Sequence, residues 1–403
     1  MAHKNHPKRH CMIVHASYPL GETRVEREAQ ALIRAGYDVD VICLWFMDEQ
    51  LAEVVDKVNV YRMPVKRDKK RECLAKLLEY LSFFVLAFFK VALLYRQKRY
   101  GSVQVHNLPD FLIFSALIPK LFGSRLILDL HDLMPEFYAS SSNRSLDSFP
   151  TRLVRWQEAI SCWFADHVIT VSESWRETLI QRGVPAAKIS VVMNVADDQI
   201  FSAQARNGQK GRHENGGFRL IYHGTFAYRY GIDLAIRAVR LLKDEIPGIH
   251  LTLHGDGEFR LALQELVKEL GLERQVQFST LFIPTTELPK LLLEADVGVI
   301  PYRRNIFTDG ILPTKLMEYS ALGIPSVVAR TPAIASYFDD DMVQFFEPES
   351  VEDLARCLLE LHSHREKLSQ LALNVQKFTK SYNWTFIASQ YSALVDRLNG
   401  SLR

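Results

Sequence analysis

Residues 310–325 read Gly-Ile-Leu-Pro-Thr-Lys-Leu-Met-Glu-Tyr-Ser-Ala-Leu-Gly-Ile-Pro, a stretch that predicts a loop followed at once by a helix. Pro313 and Thr314 are residue types that often begin a helix, and apolar side chains follow them at helical spacing. Gly323 and Pro325 are typical of its end. The first turn of this helix is therefore predicted to open onto a loop.

That first turn is a candidate anion site. Its backbone N–H groups have no partner inside the helix and lie at the positive end of the helix dipole, so a bound anion is stabilised there. Lys315 adds a positive charge, and Glu318, about one turn further on, suits ribose hydroxyls as an acceptor. An ordinary capped helix with a surface lysine and glutamate is the alternative interpretation.

The composition is that of a globular protein with two domains. The chain has 403 residues, of which 48% are hydrophobic and 24% charged, and its formal net charge of +2 gives no reason to expect a nucleic-acid surface. The five cysteines are scattered, so the sequence predicts neither a zinc site nor a disulfide framework. A reducing cytosol fits best, and the N-terminus shows no export signal.

Residues 77–95 form a long apolar segment with many aromatic side chains. Glu79 and Lys90 interrupt it, basic residues flank both ends, and the uninterrupted run is too short to span a bilayer comfortably. This pattern is typical of a helix that lies in the headgroup region of a membrane. A core helix packed on a sheet is the alternative.

Short apolar runs alternate with helical patterns along the chain, which predicts an α/β fold with parallel sheets covered by helices. The polar, glycine-rich residues 202–217 separate two such halves and are predicted to be a linker. The predicted strands are 12–15, 39–44, 58–62, 103–106, 125–130, 167–171, 189–193, 218–222, 250–253, 276–278, 297–300, 326–328 and 343–345. The predicted helices include 24–35, 110–121, 233–243, 260–270, 286–293 and 382–398.

Two doubly wound, Rossmann-like domains that face a central cleft follow from this order. Ligands in such sheets bind beyond the carboxyl ends of the strands, so the loops that follow the strands are predicted to line the cleft.

Two loops in the second half could approach a ligand. Gly224 and Thr225 follow a strand, Gly224 allows close approach of the backbone, and Arg229 offers a bidentate donor for phosphate oxygens. Asp256 lies in a Gly-Asp-Gly turn after the next strand. A turn with a solvated arginine and a simple tight turn are the alternatives for the two loops.

In the first half, Asp129 and His131 end an apolar strand. Alternation puts both side chains on one side, so the carboxylate can orient or charge the imidazole. A histidine that caps the next helix is the alternative. Residues 105–110 form a similar strand end, and Gly21 lies in a loop that could approach a ligand. The first strand is not followed by Gly-x-Gly-x-x-Gly, which argues against a dinucleotide cofactor.

Taken together and in this order, these segments resemble the GT-B glycosyltransferases, most closely the retaining group known as family 4. The specific part is the second-domain series. It runs through His223-Gly224-Thr225, Arg229-Tyr230-Gly231, Gly255-Asp256-Gly257, residues 295–301, Pro313-Thr314-Lys315, Glu318-Tyr319 and Gly323-Ile324-Pro325. The likeness covers nearly the whole chain.

The resemblance implies a retaining transfer from a nucleoside-diphosphate sugar, without a required metal or other cofactor. It implies that Glu318 holds the ribose, that Thr314, Lys315 and the helix N–H groups that follow Pro313 hold the diphosphate, and that Arg229 neutralises the leaving phosphate. His131 would lie by the reacting sugar. It also implies an acceptor-side domain at 1–201, a nucleotide-sugar domain at 218–381, and a C-terminal helix, 382–403, that packs back on the first domain.

Two departures from the family pattern stand out. The family commonly has two glutamates separated by seven residues, but Gly310 stands where the first acid is expected, and the adjacent Asp309 is the candidate substitute. The Arg and Lys usual around the first second-domain loop are replaced by Thr225 and Tyr230, which leaves Arg229 as the cation there.

The sequence thus predicts a hexosyltransferase-like enzyme of polysaccharide biosynthesis. It would be cytoplasmic and peripheral on the inner face of a membrane through residues 77–95, would act on a glycan or lipid-linked acceptor, and would have no nucleic-acid partner. The alternatives are a catalytically silent scaffold that binds a nucleotide sugar or a partner transferase, and a soluble GT-B enzyme acting on a small molecule.

Overall fold

The computed structural model of the protein describes residues 8–19, 22–46, 49–66, 73–203, 217–279 and 283–400, and for residues 73 and 74 the backbone alone. Contacts divide the chain into two compact units, residues 1–194 with 386–403 and residues 195–385. The boundaries predicted at 201 and 382 lie close to these divisions. Gly21 and most of the predicted linker lie outside the described residues.

The first unit contains an eight-stranded sheet with the strand order β3-β4-β2-β1-β5-β6-β7-β8. Its strands are β1 Arg9–Val14, β2 Asp38–Leu44, β3 Ala52–Val55, β4 Val58–Met63, β5 Ser102–His106, β6 Arg125–Leu130, β7 His167–Thr170 and β8 Ile189–Val191. Neighbours run parallel except β3, which is antiparallel to β4. Strand β3 is absent from the sequence prediction because it is a half-exposed edge strand without the apolar run of a central strand.

The helices of the first unit alternate with its strands. They are α1 Thr23–Arg34, α2 Cys73–Lys98, α3 Leu117–Leu121, α4 Met134–Ser141, α5 Phe149–Phe164 and α6 Glu173–Gln181. Helix α2 is longer at both ends than the predicted helix 77–95. The predicted helix 110–121 begins as a 3-10 segment, Asp110–Ala116, and becomes α-helical only in α3.

The second unit contains a six-stranded, all-parallel sheet with the order β11-β10-β9-β12-β13-β14. Its strands are β9 Phe218–His223, β10 Ile249–His254, β11 Val276–Ser279, β12 Val297–Ile300, β13 Ser326–Ala329 and β14 Gln344–Phe346. Its helices are α7 Ile232–Leu242, α8 Arg260–Glu269, α9 Leu288–Leu292, α10 Thr314–Leu322, α11 Pro332–Ala335, α12 Val351–Ser363, α13 Arg365–Asn374 and α14 Gln376–Ser381. The predicted α/β class with two Rossmann-like sheets is confirmed.

The last helix, α15 Trp384–Gly400, packs on the first unit. The hydroxyl of Tyr391 donates to Oε1 of Gln104 on β5 at 2.6 Å, and the hydroxyl of Tyr37 donates to Asp396 at 2.6 Å. Tyr391 is fully buried. The chain therefore returns to its first unit, as the predicted fold requires.

Strand register brings the polar strand ends of each sheet together. His106 of β5 lies opposite Asp129 of β6, and His223 of β9 lies opposite His254 of β10. Because all these strands are parallel, their carboxyl ends meet at one edge of each sheet.

Candidate functional site

Helix α10 begins and ends where the sequence predicts. Pro313 is its N-cap in extended conformation, and Gly323 is its C-cap with a left-handed φ of 67°. Because proline has no side-chain acceptor, it cannot satisfy the N–H groups of the first turn, as serine or aspartate would at this position. Thr314, the first helical residue, is exposed. The first turn is thus suited to an anion.

Lys315 is buried beside this turn, 8% exposed, among three tyrosine rings. Its Nζ donates to the hydroxyl of Tyr302 at 2.9 Å and lies 4.9 Å from the ring centre of Tyr222, 5.1 Å from that of Tyr230 and 5.0 Å from that of Tyr302. Burial lowers the pKa of Lys315 to about 8, against the opposing effect of Glu318. A cation that is desolvated in this way interacts strongly with an anion brought close to it.

The loop after β9 lies directly against this lysine. Gly224 has a φ of +115°, and a Cβ there would come within 3.2 Å of Cε of Lys315. The side chain of Thr225 is exposed, while its carbonyl accepts from the hydroxyl of Tyr222 at 2.9 Å. The structure therefore brings Gly224, Thr225 and Lys315 together, although they are far apart in the sequence.

Glu318 is hydrogen-bonded to a histidine. Nε2 of His223, the last residue of β9, donates to Oε2 of Glu318 at 2.5 Å, and Nδ1 of His223 lies 2.9 Å from the hydroxyl of Tyr319. The side chain of Glu318 is 18% exposed, whereas His223 is buried. Because the ring N–H of His223 fixes one oxygen of this carboxylate, the carboxylate presents a defined geometry to hydroxyl donors.

Glycines 255 and 257 bring the next loop against the first one. A Cβ at Gly255 would lie 2.0 Å from the carbonyl oxygen of Gly224, and one at Gly257 would lie 2.3 Å from that of Phe226. Both have φ values in the region that favours glycine. Asp256 between them is exposed, and its carbonyl accepts from the N–H of Phe226 at 2.9 Å.

Arg229 lies in the 3-10 segment Tyr228–Tyr230 that precedes α7. Its guanidinium is 5.1 Å from the ring centre of Tyr230 and 5.7 Å from that of Phe307. Tyr230 in turn packs on Tyr302, with ring centres 4.8 Å apart. Arg229 and Lys315 thus share Tyr230 as a neighbour, so two cationic side chains lie against the same ring.

Asp309 lies in the 3-10 segment Thr308–Gly310, before α10. Its carboxylate accepts from Arg304, with Oδ2 2.9 Å from Nη2. Both side chains are partly exposed. Asp309, the candidate substitute for the acid that is missing at Gly310, is therefore held in an ion pair with Arg304.

In the first unit, Asp129 lies at the centre of a buried network. Arg24 donates to both carboxylate oxygens, at 3.1 and 3.0 Å, and Nε2 of Gln104 donates to Oδ2 at 3.0 Å. Arg24 also pairs with Glu28 at 3.0 Å. Asp129 is fully buried, so it can influence a reaction only through a neighbour.

That neighbour is His131, whose Nε2 is 3.5 Å from Oδ2 of Asp129 and 3.1 Å from Nδ1 of His106. Burial of His131 disfavours its charged form, but the attraction of Asp129 outweighs this and raises the pKa of His131 above its usual value. Burial lowers the pKa of His106 to about 4, although Asp129 opposes the shift. His131 is therefore the ring that binds a proton, and its side chain is 16% exposed.

His106, Asp129 and His131 could also be considered as metal ligands, because one ligand atom from each lies within 4.8 Å of the others. However, Oδ2 of Asp129 already accepts from Arg24 and Gln104. A divalent ion there would have to displace these donors and would lie beside the Arg24 cation. The donor set fits an oriented histidine better than a metal centre.

Sequence reasoning did not single out three residues of these sites as functional. Each of the three matters only through a contact with a residue that the sequence did suggest. His223 contacts Glu318, Tyr302 accepts from Lys315, and Arg24 donates to Asp129. A histidine at the end of β9 was visible in the sequence, but its partner lies 95 residues later. A buried arginine on a helix has no local signal at all.

Comparison with known families matches both units. Residues 21–194 match the family described as Glycosyl transferase 4-like domain, and residues 204–378 match that described as Glycosyl transferases group 1. The chain is 26% identical over 235 residues to the amylovoran biosynthesis glycosyltransferase AmsK of Erwinia amylovora, a match that covers 57% of this chain and 56% of AmsK. It therefore spans little more than half the length of that relative.

Two further likenesses extend over most of the chain. The chitobiosyldiphosphodolichol beta-mannosyltransferase of Debaryomyces hansenii is 22% identical over 390 residues, which cover 88% of this chain and 82% of that protein. The crystal structure of Anabaena Alr3699/HepE in complex with UDP-glucose superposes with a TM-score of 0.71 at 16% identity, covering 96% of this chain and 99% of that one. Since the two family matches together take in most of the chain, the protein belongs to the group 1 glycosyltransferases of GT-B fold.

Proposed function

We propose that this protein transfers a sugar, with retention, from a nucleoside-diphosphate sugar to a lipid-linked or polysaccharide acceptor. The observation that carries this proposal is the arrangement at α10. There, the buried cation of Lys315 lies beside a helix N-terminus, and Glu318 follows one turn later with a hydrogen bond from His223. This is one anion site and one hydroxyl site at the spacing that a nucleotide needs.

The diphosphate is proposed to bind the first turn of α10, with Lys315 and Arg229 as its cations and Gly224 allowing close approach. Glu318 accepts from the ribose hydroxyls. The Anabaena structure is in complex with UDP-glucose, which supports this class of donor.

In the proposed transfer, the bond from the anomeric carbon to the diphosphate oxygen breaks and a bond from that carbon to the acceptor oxygen forms on the same face. The acceptor proton passes to an oxygen of the departing phosphate. The developing negative charge is stabilised by Lys315, Arg229 and the α10 dipole. His131, which Asp129 orients, is proposed to lie beside the reacting sugar.

We further propose that the reaction requires no metal ion. The cations of the second unit and the helix N-terminus can together neutralise a diphosphate leaving group. In the cluster of His106, Asp129 and His131, both carboxylate oxygens of Asp129 already accept hydrogen bonds from Arg24.

A lipid-linked or polysaccharide acceptor is proposed because the names of two relatives refer to amylovoran biosynthesis and to a diphosphodolichol substrate. Helix α2 supports a location at a membrane, because by length and composition Ala75–Lys98 could cross one, although Glu79 and Lys90 interrupt its apolar run. We propose peripheral contact through residues 77–95 on the cytoplasmic side.

The second candidate function is a scaffold that binds a nucleotide sugar or a partner transferase without transferring sugar. It is favoured by Gly310, which stands in place of an acid, and by the pairing of Asp309 with Arg304. On the first proposal Asp309→Asn reduces transfer, and on the second there is no transfer to reduce.

Calorimetric titration with UDP, GDP, ADP and CMP, with and without EDTA, tests the donor site. Glu318→Ala and Lys315→Ala should weaken binding of the preferred nucleotide, whereas His131→Ala should spare binding and lower turnover. Equal binding in all three variants would contradict the site.

The anomeric configuration of the product, determined by NMR, tests retention. If the protein binds a nucleotide sugar but transfers no sugar to any acceptor in an extract, that result favours the scaffold.

A further inference from the structure

Helix α5 has the opposite polarity from an ordinary surface helix. Its buried residues are polar or small, namely Thr151, Glu158, Ser161 and Cys162. Four of its large apolar residues are exposed, namely Phe149, Leu153, Trp156 and Trp163, at 72%, 51%, 65% and 77%. A soluble helix buries its apolar stripe, but none of the residues that the structure describes covers the stripe of α5. This exposed stripe therefore indicates a binding surface.

Helices α2 and α3 expose apolar side chains in the same unit. Phe83, Ala87, Val91 and Leu94 form the buried face of α2, which is enough to anchor it to the unit. The remaining faces nevertheless expose Leu77, Leu78, Leu81, Val85, Leu86, Phe89 and Leu93 on α2, and Leu117 and Leu121 on α3.

These helices are neighbours through the 3-10 segment Asp110–Ala116. The rings of Phe84 on α2 and Phe111 have centres 6.1 Å apart, and those of Phe114 and Phe164 at the end of α5 are 4.9 Å apart. Helices α2 and α5 therefore flank the same segment. We call these exposed residues of α2, α3 and α5 the apolar face.

The exposed charged residues of α2 and α5 are all basic. Glu79 and Glu158, the acidic residues of α2 and α5, are buried. Lys76 and Arg96 of α2 and Arg152 and Arg155 of α5 are exposed. An apolar surface with a basic rim and buried acids is complementary to an anionic bilayer.

We propose that α5 is a second membrane-binding helix, and that Trp156 and Trp163 lie at the headgroup level of an anionic bilayer. Tryptophan is enriched at that depth because its ring is apolar and its N–H is polar. A second copy of this chain is disfavoured as the occupant, because an isologous dimer through this face would bring its exposed basic residues together. The inference extends the contact proposed for α2, but its test requires no transferase activity.

Flotation of the full chain with vesicles of phosphatidylcholine, with and without phosphatidylglycerol, tests the proposal. The wild type should float with the anionic vesicles, and Trp156→Gln with Trp163→Gln should lower the partition coefficient about tenfold while α2 is intact. Arg152→Gln with Arg155→Gln should reduce the gain from phosphatidylglycerol and its sensitivity to salt. Leu241→Gln with Leu261→Gln, which removes exposed leucines of the second unit, is the matched control and should change nothing.

Thermal unfolding and nucleotide affinity of the α5 variants should equal those of the wild type, because the changed side chains are exposed. If the tryptophan variant floats as the wild type does, while Leu86→Gln with Phe89→Gln does not, α5 is not a membrane helix. If the wild type does not float with the anionic vesicles, the apolar face does not bind a membrane and the proposal is wrong. A lipid-free dimer by light scattering that the tryptophan variant dissociates would identify a second copy as the occupant and overturn the proposal.

Discussion

Nε2 of His223 and Oε2 of Glu318 are 2.5 Å apart, which joins the end of β9 to the second turn of α10. The contact connects the carboxylate proposed for ribose to the end of β9, so the strand end and the helix contribute to one site. It also makes His223 a positioning residue, since its ring acts on a nucleotide only through Glu318.

We expect His223→Ala to weaken binding of the preferred nucleoside diphosphate about tenfold, because Glu318 loses the donor that orients it. The effect should vanish in a Glu318→Ala background, which a double-mutant cycle by calorimetry would reveal. His254→Ala is the control, because His254 lies opposite His223 in register but bonds to Ser279. Additive losses from the two changes would mean that His223 does not act through Glu318.

The pKa of Lys315, lowered to about 8 by burial, predicts a pH dependence of donor binding. Affinity for a nucleoside diphosphate should be constant below pH 8 and fall above it, as the free protein loses the charge that binds phosphate. In Lys315→Met the affinity should be weak at all pH values without this fall. A wild-type affinity that does not change between pH 7 and about pH 9.5 would show either that Lys315 is not the phosphate cation or that its pKa is not lowered.

The same pKa shift has a consequence for stability. The folded protein releases the Lys315 proton at about pH 8, whereas the unfolded chain keeps it to 10.5, so the folded state binds fewer protons between these values. The free energy of unfolding should therefore rise relative to that of Lys315→Met as the pH increases through this window, by about 3 kcal/mol at most. Denaturant unfolding of both proteins at pH 7 and about pH 10 measures the difference. Parallel pH profiles would contradict the lowered pKa.

Asp129→Asn is expected to destabilise the first unit by about 3 kcal/mol, because the buried Arg24 cation then keeps only Glu28 as an ion-pair partner. Loss of the Asp129 charge should also lower the pKa of His131, which NMR titration of its ring measures. Glu173→Gln removes an exposed pair with Arg176 and should cost under about 1 kcal/mol. If Asp129→Asn were equally mild, the network would not hold the site.

Gly255→Ala should disrupt the first loop, because the added Cβ would lie 2.0 Å from the carbonyl oxygen of Gly224. We expect a loss of several kcal/mol in unfolding free energy and weaker nucleotide binding. Gly271→Ala is the control. It has a φ of +61° but open space around it, so it should cost only about 1 kcal/mol and spare binding. Equal effects would show that backbone conformation, not the close approach, decides the cost.

Local sequence determined the elements and their order. The apolar runs predicted thirteen of the strands at nearly their observed places, since a buried parallel strand requires such a run. Pro313 and Gly323 marked the ends of α10 because each acts on backbone conformation within a few residues. The side-by-side placement of Asp129 and His131 followed from strand alternation, and so was also predictable.

Tertiary structure decided what those residues contact. The rings around Lys315, the bond from His223 to Glu318, and the pairing of Arg24 with Asp129 join positions far apart in the chain, which no local pattern encodes. The exposure of α5 was hidden for the same reason. Sequence shows that Trp156 and Trp163 are apolar, but only packing determines that Glu158 faces inward and the tryptophans outward. Propensity and periodicity act over a few residues, whereas burial depends on the whole sheet.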